Sequence, residues 1–108
     1  MKTLKQWIDF YERKSGDRFK QKPNATFLFD SEKGFIQYSI VDDFHGERVL
    51  LIDETVGNGR YWESEALIIA KENGCTKLVT VIYRDPNVYQ KRFPKTHIMA
   101  YVMTEEVI

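Results

Sequence analysis

The stretch DETVGNGRYW, residues 53–62, marks the point where the hydrophobic pattern of the chain changes from strand-like to helical. It follows the apolar run VLLI, residues 49–52, and leads into WESEALIIAKENG, residues 62–74, where apolar residues recur at helical spacing. Two glycines, Gly57 and Gly59, flank an asparagine at this junction. The stretch is therefore predicted to be a glycine-containing turn that joins a strand to a helix.

A second apolar run follows this predicted helix, which Gly74 is placed to end. KLVTVIY, residues 77–83, is almost continuously apolar, as is typical of a central strand buried on both faces. A strand, a helix and a strand in this order predict two parallel strands joined by a crossover over residues 48–83. DPNVYQKRF, residues 85–93, then predicts a short helix, and HIMAYVM, residues 97–103, predicts a last strand.

The residues before the turn predict one helix and three strands. Apolar residues at positions 4, 7, 8 and 11 predict a helix over residues 3–15 with one buried face. ATFLF, residues 25–29, and GFIQYSIV, residues 34–41, are separated by the turn-forming sequence DSEK. RVLLIDE, residues 48–54, follows a second short turn, so these three strands are predicted to form an antiparallel meander.

The bulk composition limits the class of protein. The 108 residues are 43% hydrophobic, which is enough to bury the core of one domain spanning residues 1–108. Sixteen basic and sixteen acidic residues cancel, so net charge gives no general argument for a nucleic-acid or membrane partner. Short apolar runs and a charged N-terminal segment predict a cytoplasmic protein. Cys75 is the single cysteine, and neither it nor the two histidines shows the spacing of a metal site.

The glycine turn has two interpretations on chemical grounds. A helix N-terminus offers unpaired N–H groups and a partial positive charge, and Arg60 adds a cation beside it, so the turn can hold a phosphate. A strand-to-helix turn also uses glycine for its own positive φ angles, without any ligand. The Walker-type loop and the dinucleotide-binding G-x-G-x-x-G fingerprint are both absent from the turn.

Residues 49–93 resemble the core of the GCN5-related N-acetyltransferase superfamily. That family carries Q/R-x-x-G-x-G/A between its fourth strand and its central helix, and this chain reads E-T-V-G-N-G at residues 54–59. The family also has a glycine between that helix and the next strand, matched here by Gly74. A polar segment then opens a short helix rich in Asn, Pro and Tyr, and YRDPNVYQKRFP, residues 83–94, is similar to it.

The resemblance implies an α+β, acyl-CoA N-acyltransferase-like fold, with a mixed twisted sheet of about five or six strands and helices on both faces. The sheet is expected to splay between the strands at residues 48–54 and 77–83, where coenzyme A would enter. Acetyl-CoA is the implied co-substrate and a primary amine the implied acceptor. The implied cofactor-binding residues, whose backbone amides would hold the pyrophosphate, are Thr55, Val56, Gly57, Asn58, Gly59 and Arg60.

The resemblance also implies catalytic residues. In the family the base is often a glutamate on or near the fourth strand, and the acid is often a tyrosine on the short helix. These positions correspond to Glu54 or Asp53 as the base and to Tyr89 as the acid. Because strand residues alternate, one of the two carboxylates is expected to face the interior. The other interpretations are a solvated strand end for the carboxylates and helix packing for Tyr89.

A competing interpretation is a catalytically inactive relative that keeps the fold as an interaction module, of the kind carried by phages or mobile elements. Glu54 stands where the family prefers Gln or Arg, and one helix precedes the strands where the family usually has a strand and two helices. A nucleic-acid role rests on ERKSGDRFKQK, residues 12–22, whose interspersed acids indicate a solvated surface instead. The predicted strand at residues 97–103 can pair with another copy, which leaves a homodimer open.

Overall fold

The computed structural model describes residues 1–82, 85–98, 103 and 105–107, and these form three helices and four strands. The predicted order of elements is confirmed as far as the third helix. The predicted last strand spans residues 97–103, of which residues 99–102 lie outside the described residues. His97 and Ile98 are not in a strand. The elements are α1 (Leu4–Ser15), β1 (Thr26–Asp30), β2 (Gly34–Phe44), β3 (Glu47–Gly57), α2 (Gly59–Glu72), β4 (Lys77–Thr80) and α3 (Pro86–Arg92).

The four strands lie in one mixed sheet in the order β1-β2-β3-β4. β1 pairs with β2 and β2 with β3 in antiparallel fashion, which confirms the predicted meander. β3 and β4, which α2 joins, are parallel, as the strand–helix–strand pattern predicts. The antiparallel pairs have short connections, whereas a parallel pair needs a crossover long enough to contain a helix.

The parallel pair ends well before β3 does. Residues 49–52 of β3 pair with Lys77–Thr80, and β3 then continues to Gly57 against β2 alone. β4 is shorter than predicted, since Val81 and Ile82 are not in the strand and Tyr83 lies outside the described residues. The ladder between the two strands therefore ends at Ile52 and Thr80, and the splay expected between these strands stays a prediction.

Two hydrophobic cores lie on opposite faces of this sheet. Phe35 and Ile36 are neighbours in β2, so their side chains point to different faces. Phe35 packs with Trp7 of α1 and with Val56, whereas Ile36 packs under α2. The predicted arrangement of helices on both faces is thus confirmed. The core under α2 contains Ile36, Tyr38, Leu50, Trp62, Ala66 and Ala70.

The buried face of α2 is narrower than the sequence predicts. Trp62, Ala66 and Ala70 are buried, and the two alanines let the helix backbone approach the sheet closely. The apolar character of Leu67 and Ile68 predicts that they widen this face, but their side chains are 53% and 54% exposed. The expectation is wrong because these two positions turn away from the sheet at 100° per residue, whatever their hydrophobicity.

Candidate active site

A β-bulge interrupts β3 at Asp53. Gln37 of β2 pairs with Glu54, and Tyr38 pairs with Ile52, so Asp53 is one extra residue on the β3 side. A bulge locally breaks the alternation of a strand and changes the direction in which its side chains point. This one lies one residue beyond the last parallel pair of β3 with β4. It therefore determines where the carboxylates of Asp53 and Glu54 lie at the end of the parallel ladder.

Both carboxylates lie on the α1 face of the sheet. Asp53 accepts a hydrogen bond from Ser39, which is on the same face as Phe35, and Glu54 interacts with Tyr11 of α1. Tyr11 itself packs on Phe35, with ring centroids 6.0 Å apart. The expectation that Asp53 and Glu54 point to opposite faces is wrong, because the bulge replaces the alternation on which it rests.

Asp53 is a fully paired carboxylate. Its Oδ1 lies 3.0 Å from Lys22 Nζ, and its Oδ2 accepts a hydrogen bond of 3.0 Å from Ser39 Oγ. The side chain is only 6% exposed, so both oxygens depend on these partners rather than on water. A buried carboxylate whose two oxygens are both occupied has no open position for a substrate. These contacts indicate a structural role for Asp53.

Glu54 is the carboxylate with an open position. Its buried Oε2 has no hydrogen-bond partner among the described residues. Burial raises the pKa of Glu54, and the nearby Tyr11 hydroxyl and the charge of Lys22 offset that rise only in part. Burial, together with the nearby carboxylate of Glu54, raises the pKa of Tyr11 to about 12, so Tyr11 stays protonated. A carboxylate with a raised pKa and an unpaired oxygen is suited to accept a proton.

Gln37 holds the chain segment that follows α1 against the sheet. Its side chain is fully buried, its Oε1 accepts 2.9 Å from the backbone N–H of Lys22, and its Nε2 donates 3.1 Å to the carbonyl of Lys20. Both ends of the amide are thus used on residues 20–22. This contact places Lys22 above the bulge, where its ammonium group reaches Asp53.

Replacing Gln37 by alanine is expected to lower the free energy of unfolding by about 2–3 kcal/mol, because two buried hydrogen bonds are lost and a cavity is left. Urea unfolding measures the loss, and faster amide exchange at Lys22 would locate it. The exposed neighbour Gln21 supplies the matched control, Gln21→Ala, which should change stability by less than about 0.5 kcal/mol. Equal stability of the two variants would contradict this role for Gln37.

The first three residues of the predicted pyrophosphate turn belong to β3. Thr55, Val56 and Gly57 lie in the antiparallel ladder with β2 rather than in a turn. Gly57 has a φ of +101°, and a Cβ atom there would overlap the backbone carbonyl of Lys33. This glycine is therefore explained by the close approach of two backbones, without a ligand.

The open backbone groups lie at the first turn of α2. Asn58 caps the helix through its side chain, which accepts a hydrogen bond of 3.0 Å from Tyr61 N–H, and its own N–H donates 2.9 Å to the Lys33 carbonyl. In the described part of the chain, the N–H groups of Gly59 and Arg60 have no hydrogen-bond partner. The Arg60 side chain is exposed beside them. Of the six predicted cofactor residues, these two offer unused donors for an anion.

Tyr89 lies on α3, half-buried against Phe93, with ring centroids 4.9 Å apart. Burial raises the pKa of Tyr89, and the negative charge of Glu63 adds to the rise, so the hydroxyl is protonated at neutral pH. No hydrogen bond, ring contact or charge interaction found among the described residues joins Tyr89 to Asp53 or Glu54. The structure thus brings Asp53 and Glu54 together and leaves the position of Tyr89 relative to them a prediction.

Sequence patterns did not indicate the partners of the two carboxylates. Gln37 and Ser39 alternate with apolar residues of β2, which is the pattern of a solvent-facing side. They face α1 and residues 20–22 instead, and Tyr11 and Lys22 come from outside the region that carries the resemblance. The polar residues that alternate with apolar ones along β2 were the only sequence signal for these partners. That signal could be interpreted only once the packing of α1 on this face was known.

Within residues 1–82, 85–98, 103 and 105–107, no cluster of three or more His, Cys, Asp or Glu side chains is arranged to hold a metal ion. In the same residues, no helix has both the length and the apolar character required to cross a bilayer.

The sequence matches no protein-family model and no curated protein, but solved structures share its fold. The structure described as "Putative acetyl transferase from Pyrococcus furiosus" is 18% identical, with a TM-score of 0.63 over 92% of this chain and 73% of that chain. A second, described as a probable acetyltransferase, is 11% identical, with a TM-score of 0.62 over 97% of this chain and 91% of that chain.

The third comparison is a ribosomal-protein-alanine N-acetyltransferase from Brucella melitensis biovar Abortus 2308. It is 15% identical, with a TM-score of 0.53 over 97% of this chain and 94% of that chain. The chain thus has an acetyltransferase fold, α+β with a mixed sheet. The resemblance to the GCN5-related N-acetyltransferases is confirmed at the level of the fold.

Proposed function

We propose that this protein is an acetyl-CoA-dependent N-acetyltransferase acting on a primary amine. The observation that carries the proposal is the state of Glu54, a partly buried carboxylate with a raised pKa and an unpaired oxygen. It lies two residues beyond the last parallel pair of β3 and β4, where a substrate can enter the sheet. The acetyltransferase fold supports acetyl-CoA as the acetyl donor.

The N–H groups of Gly59 and Arg60 are proposed to hold the pyrophosphate of acetyl-CoA. They are unused donors at the positive end of a 14-residue helix, and the Arg60 guanidinium adds a charge beside them. The pantetheine arm would then run from this helix end into the opening between β3 and β4. The thioester would be held against the α1 face, on which Glu54 lies.

Glu54 is proposed as the general base. It would take a proton from the acceptor amine, directly or through a water molecule, while the nitrogen attacks the thioester carbonyl. The C–S bond then breaks, and the coenzyme A thiolate takes up a proton. Tyr89, protonated at neutral pH, is the predicted donor of that proton. Asp53 is not assigned to this step, because Lys22 and Ser39 already occupy its oxygens.

The alternative is a module that keeps the fold without catalysis. One observation favours it: no hydrogen bond or charge interaction among the described residues joins Tyr89, the predicted acid, to Glu54. Such a protein would bind a partner or acetyl-CoA but would transfer no acetyl group. Measurement of turnover separates the two functions.

The first experiment is a titration of the protein with acetyl-CoA, followed by calorimetry and by the amide shifts of Gly59 and Arg60. Saturable binding that moves these two amides, together with release of free thiol when amine acceptors are added, is the expected result. Binding without thiol release from any amine would support the non-catalytic module. The absence of binding at millimolar acetyl-CoA would refute both the cofactor site and the enzyme.

The charge reversal Arg60→Glu is expected to weaken acetyl-CoA binding by about tenfold or more, because it places a carboxylate beside the phosphates. It should not unfold the protein, since an acidic residue in the first turn of a helix is favourable. Lys71→Glu, at the far end of the same helix, is the matched control and should leave the dissociation constant within about twofold. Calorimetry on both variants checks the prediction, and equal affinities would remove the helix start from the cofactor site.

A further inference from the structure

The outer edge of β1 is an open strand edge. β1 is the first strand of the sheet, and among the described residues no strand pairs with its other side. In the same part of the chain, the backbone of residues 26–30 makes no hydrogen bond outside its ladder with β2. Backbone N–H and C=O groups that point away from a sheet edge are a template for a further strand. This edge can therefore accept one more strand.

β1 lacks the features that commonly protect an edge strand from other chains. Its sequence, TFLFD, contains neither Lys nor Pro, and its ladder with β2 runs from Thr26 to Asp30 without a bulge. Lysine side chains, prolines and bulges are common means by which proteins prevent pairing at an edge. The only charged residue of the strand is Asp30, at its end. The composition of β1 therefore favours pairing with another strand.

Both faces of β1 carry apolar side chains that a further strand would extend. Leu28 packs against the core under α2. On the α1 face, Phe27 lies beside Phe19 and Phe35, with ring centroids 5.6 and 5.2 Å away. Phe29 is on the same face as Phe27, and it is 40% exposed. A strand paired with β1 would cover part of Phe29 and continue both cores.

The side chains of β1 are complementary to those of a second β1 in the antiparallel direction. In a two-fold pairing centred on Leu28, this residue lies opposite its own copy. Phe27 then lies opposite Phe29 of the second copy, and Thr26 lies opposite Asp30. The two-fold axis forms each of these last two pairs twice, and no like charges meet along the strand. The strand is therefore self-complementary.

Asp30 has an oxygen available for this pairing. Its Oδ1 accepts hydrogen bonds of 2.8 and 2.9 Å from the backbone N–H groups of Glu32 and Lys33. Among the described residues, its Oδ2 and the hydroxyl of Thr26 take part in no hydrogen bond, and Thr26 is exposed. A hydroxyl that donates to a carboxylate forms a charge-assisted hydrogen bond. Pairing of two copies would allow two such bonds, one on each side of the axis.

We propose that two copies of this chain pair through β1, antiparallel and centred on Leu28, so that one continuous sheet runs through a dimer. The inference is independent of the proposed function, because β1 and the ladder between β3 and β4 lie at opposite ends of the strand order. A five-residue strand forms a small interface, so the expected dissociation constant is about 1–100 µM.

Sedimentation velocity of the full chain, at concentrations from about 1 to 500 µM, measures the dissociation constant of the dimer. Thr26→Glu places a second carboxylate opposite each Asp30 and should weaken the dimer by about tenfold. Thr26→Lys places an ammonium group there instead, so this variant should dimerise at least as tightly as the wild-type protein. Glu and Lys are both depleted in strands, so the two variants differ mainly in the sign of the charge.

Ser64→Glu, an exposed position on α2, is the control away from the edge and should leave the dissociation constant unchanged. Circular dichroism of all three variants checks that the fold is intact. Because Thr26 is exposed in the single chain, neither replacement is expected to unfold it.

A dimer that Thr26→Glu weakens and Thr26→Lys does not would support the inference. A wild-type protein that stays monomeric at about 500 µM would overturn it and leave the proposed function standing. A dimer that Thr26→Glu leaves unchanged would overturn the assignment of the interface to β1. Equal weakening by Thr26→Glu and Thr26→Lys would overturn the alignment centred on Leu28, since Asp30 would then not lie opposite Thr26.

Discussion

Replacing Gly57 by alanine is expected to lower the free energy of unfolding by about 2–5 kcal/mol, one of the largest effects of any single methyl group in this protein. Two costs add. The residue has a φ of +101°, where an L side chain is strained, and the new Cβ would overlap the carbonyl of Lys33. Gly34, directly opposite in the ladder, meets the carbonyl of Val56 in the same way, so neither backbone can yield to the other.

Gly16→Ala is the control that separates these two costs. Gly16 also has a positive φ, +77°, at the C-terminal end of α1, but a Cβ atom there meets nothing within 4 Å. Its replacement should therefore cost only the left-handed strain of about 1–2 kcal/mol. Urea unfolding of the two variants provides the comparison. If Gly57→Ala were no more destabilising than Gly16→Ala, the tight contact between β2 and β3 would not be the reason for glycine at this position.

The role of Gly57 in the fold also decides which positions can be used to test phosphate binding. A glycine that stabilises the fold by itself cannot be used to test ligand binding, since any side chain at Gly57 disturbs β2 and β3 before it meets a phosphate. Arg60→Glu and the amides of Gly59 and Arg60 are the informative positions, because these two residues lie in α2 and take no part in the pairing of β2 with β3.

Glu54→Gln is expected to reduce kcat for acetyl transfer by about 10²- to 10⁴-fold, because it removes the proposed base and keeps its shape. The affinity for acetyl-CoA should stay within about twofold, since Glu54 is not assigned to the phosphates. Asp53→Asn is the matched comparison: it removes a carboxylate of the same bulge that is already paired with Lys22. Steady-state kinetics with an amine acceptor measures both variants. If Asp53→Asn lost as much kcat as Glu54→Gln at equal stability, the assignment of the base would be wrong.

The same variant is expected to be more stable than the wild-type protein at neutral pH. Burial raises the pKa of Glu54 in the folded state above its ordinary value of 4.5, so the ionised carboxylate opposes folding. The penalty is absent below about pH 4, grows as the pH rises from the ordinary value of 4.5 to the raised pKa, and is complete above it. Glu54→Gln should therefore raise the free energy of unfolding by about 1 kcal/mol at pH 8. The expected gain is small because the Glu54 carboxylate is partly solvated.

Urea unfolding of the wild-type protein and of Glu54→Gln at about pH 4 and pH 8 tests the sign. The two stabilities should converge at the lower pH and separate at the higher one. Glu72→Gln, an exposed position at the end of α2, should show no such separation. A wild-type protein that is more stable than Glu54→Gln at pH 8 would mean that the carboxylate is paired in the folded state, and its role as a base would lose its physical support.

The sequence predicted the elements better than their limits. Hydrophobic periodicity, apolar runs and turn residues predicted every helix and strand that the structure describes, because burial constrains the residue pattern of a whole element. The observed ends of the strands differ from the predicted ends where tertiary contacts add or remove strand pairing. β3 runs three residues further than predicted, to Gly57, because β2 pairs with it there, and β4 ends three residues earlier, at Thr80.

The candidate site was predictable in part. The resemblance over residues 49–93 named Glu54 and the start of the central helix, since both lie in one continuous stretch of chain. Which carboxylate is paired and which is open depends on Lys22, Ser39 and Tyr11, residues distant in sequence that reach the bulge from other elements. Sequence spacing carries no information on such contacts.

By itself, the sequence determined the class of fold, a meander followed by a strand–helix–strand crossover. Periodic burial and glycine-containing turns depend on residues that are close together in the chain. Only the tertiary structure decided which carboxylate is paired and which one has an open oxygen. The unmatched residue at Asp53 turns both carboxylates to the face of α1, where Lys22 pairs one of them and burial raises the pKa of the other. Register and desolvation are properties of two strands and a helix packed together, so neither can be obtained from the residues of one strand.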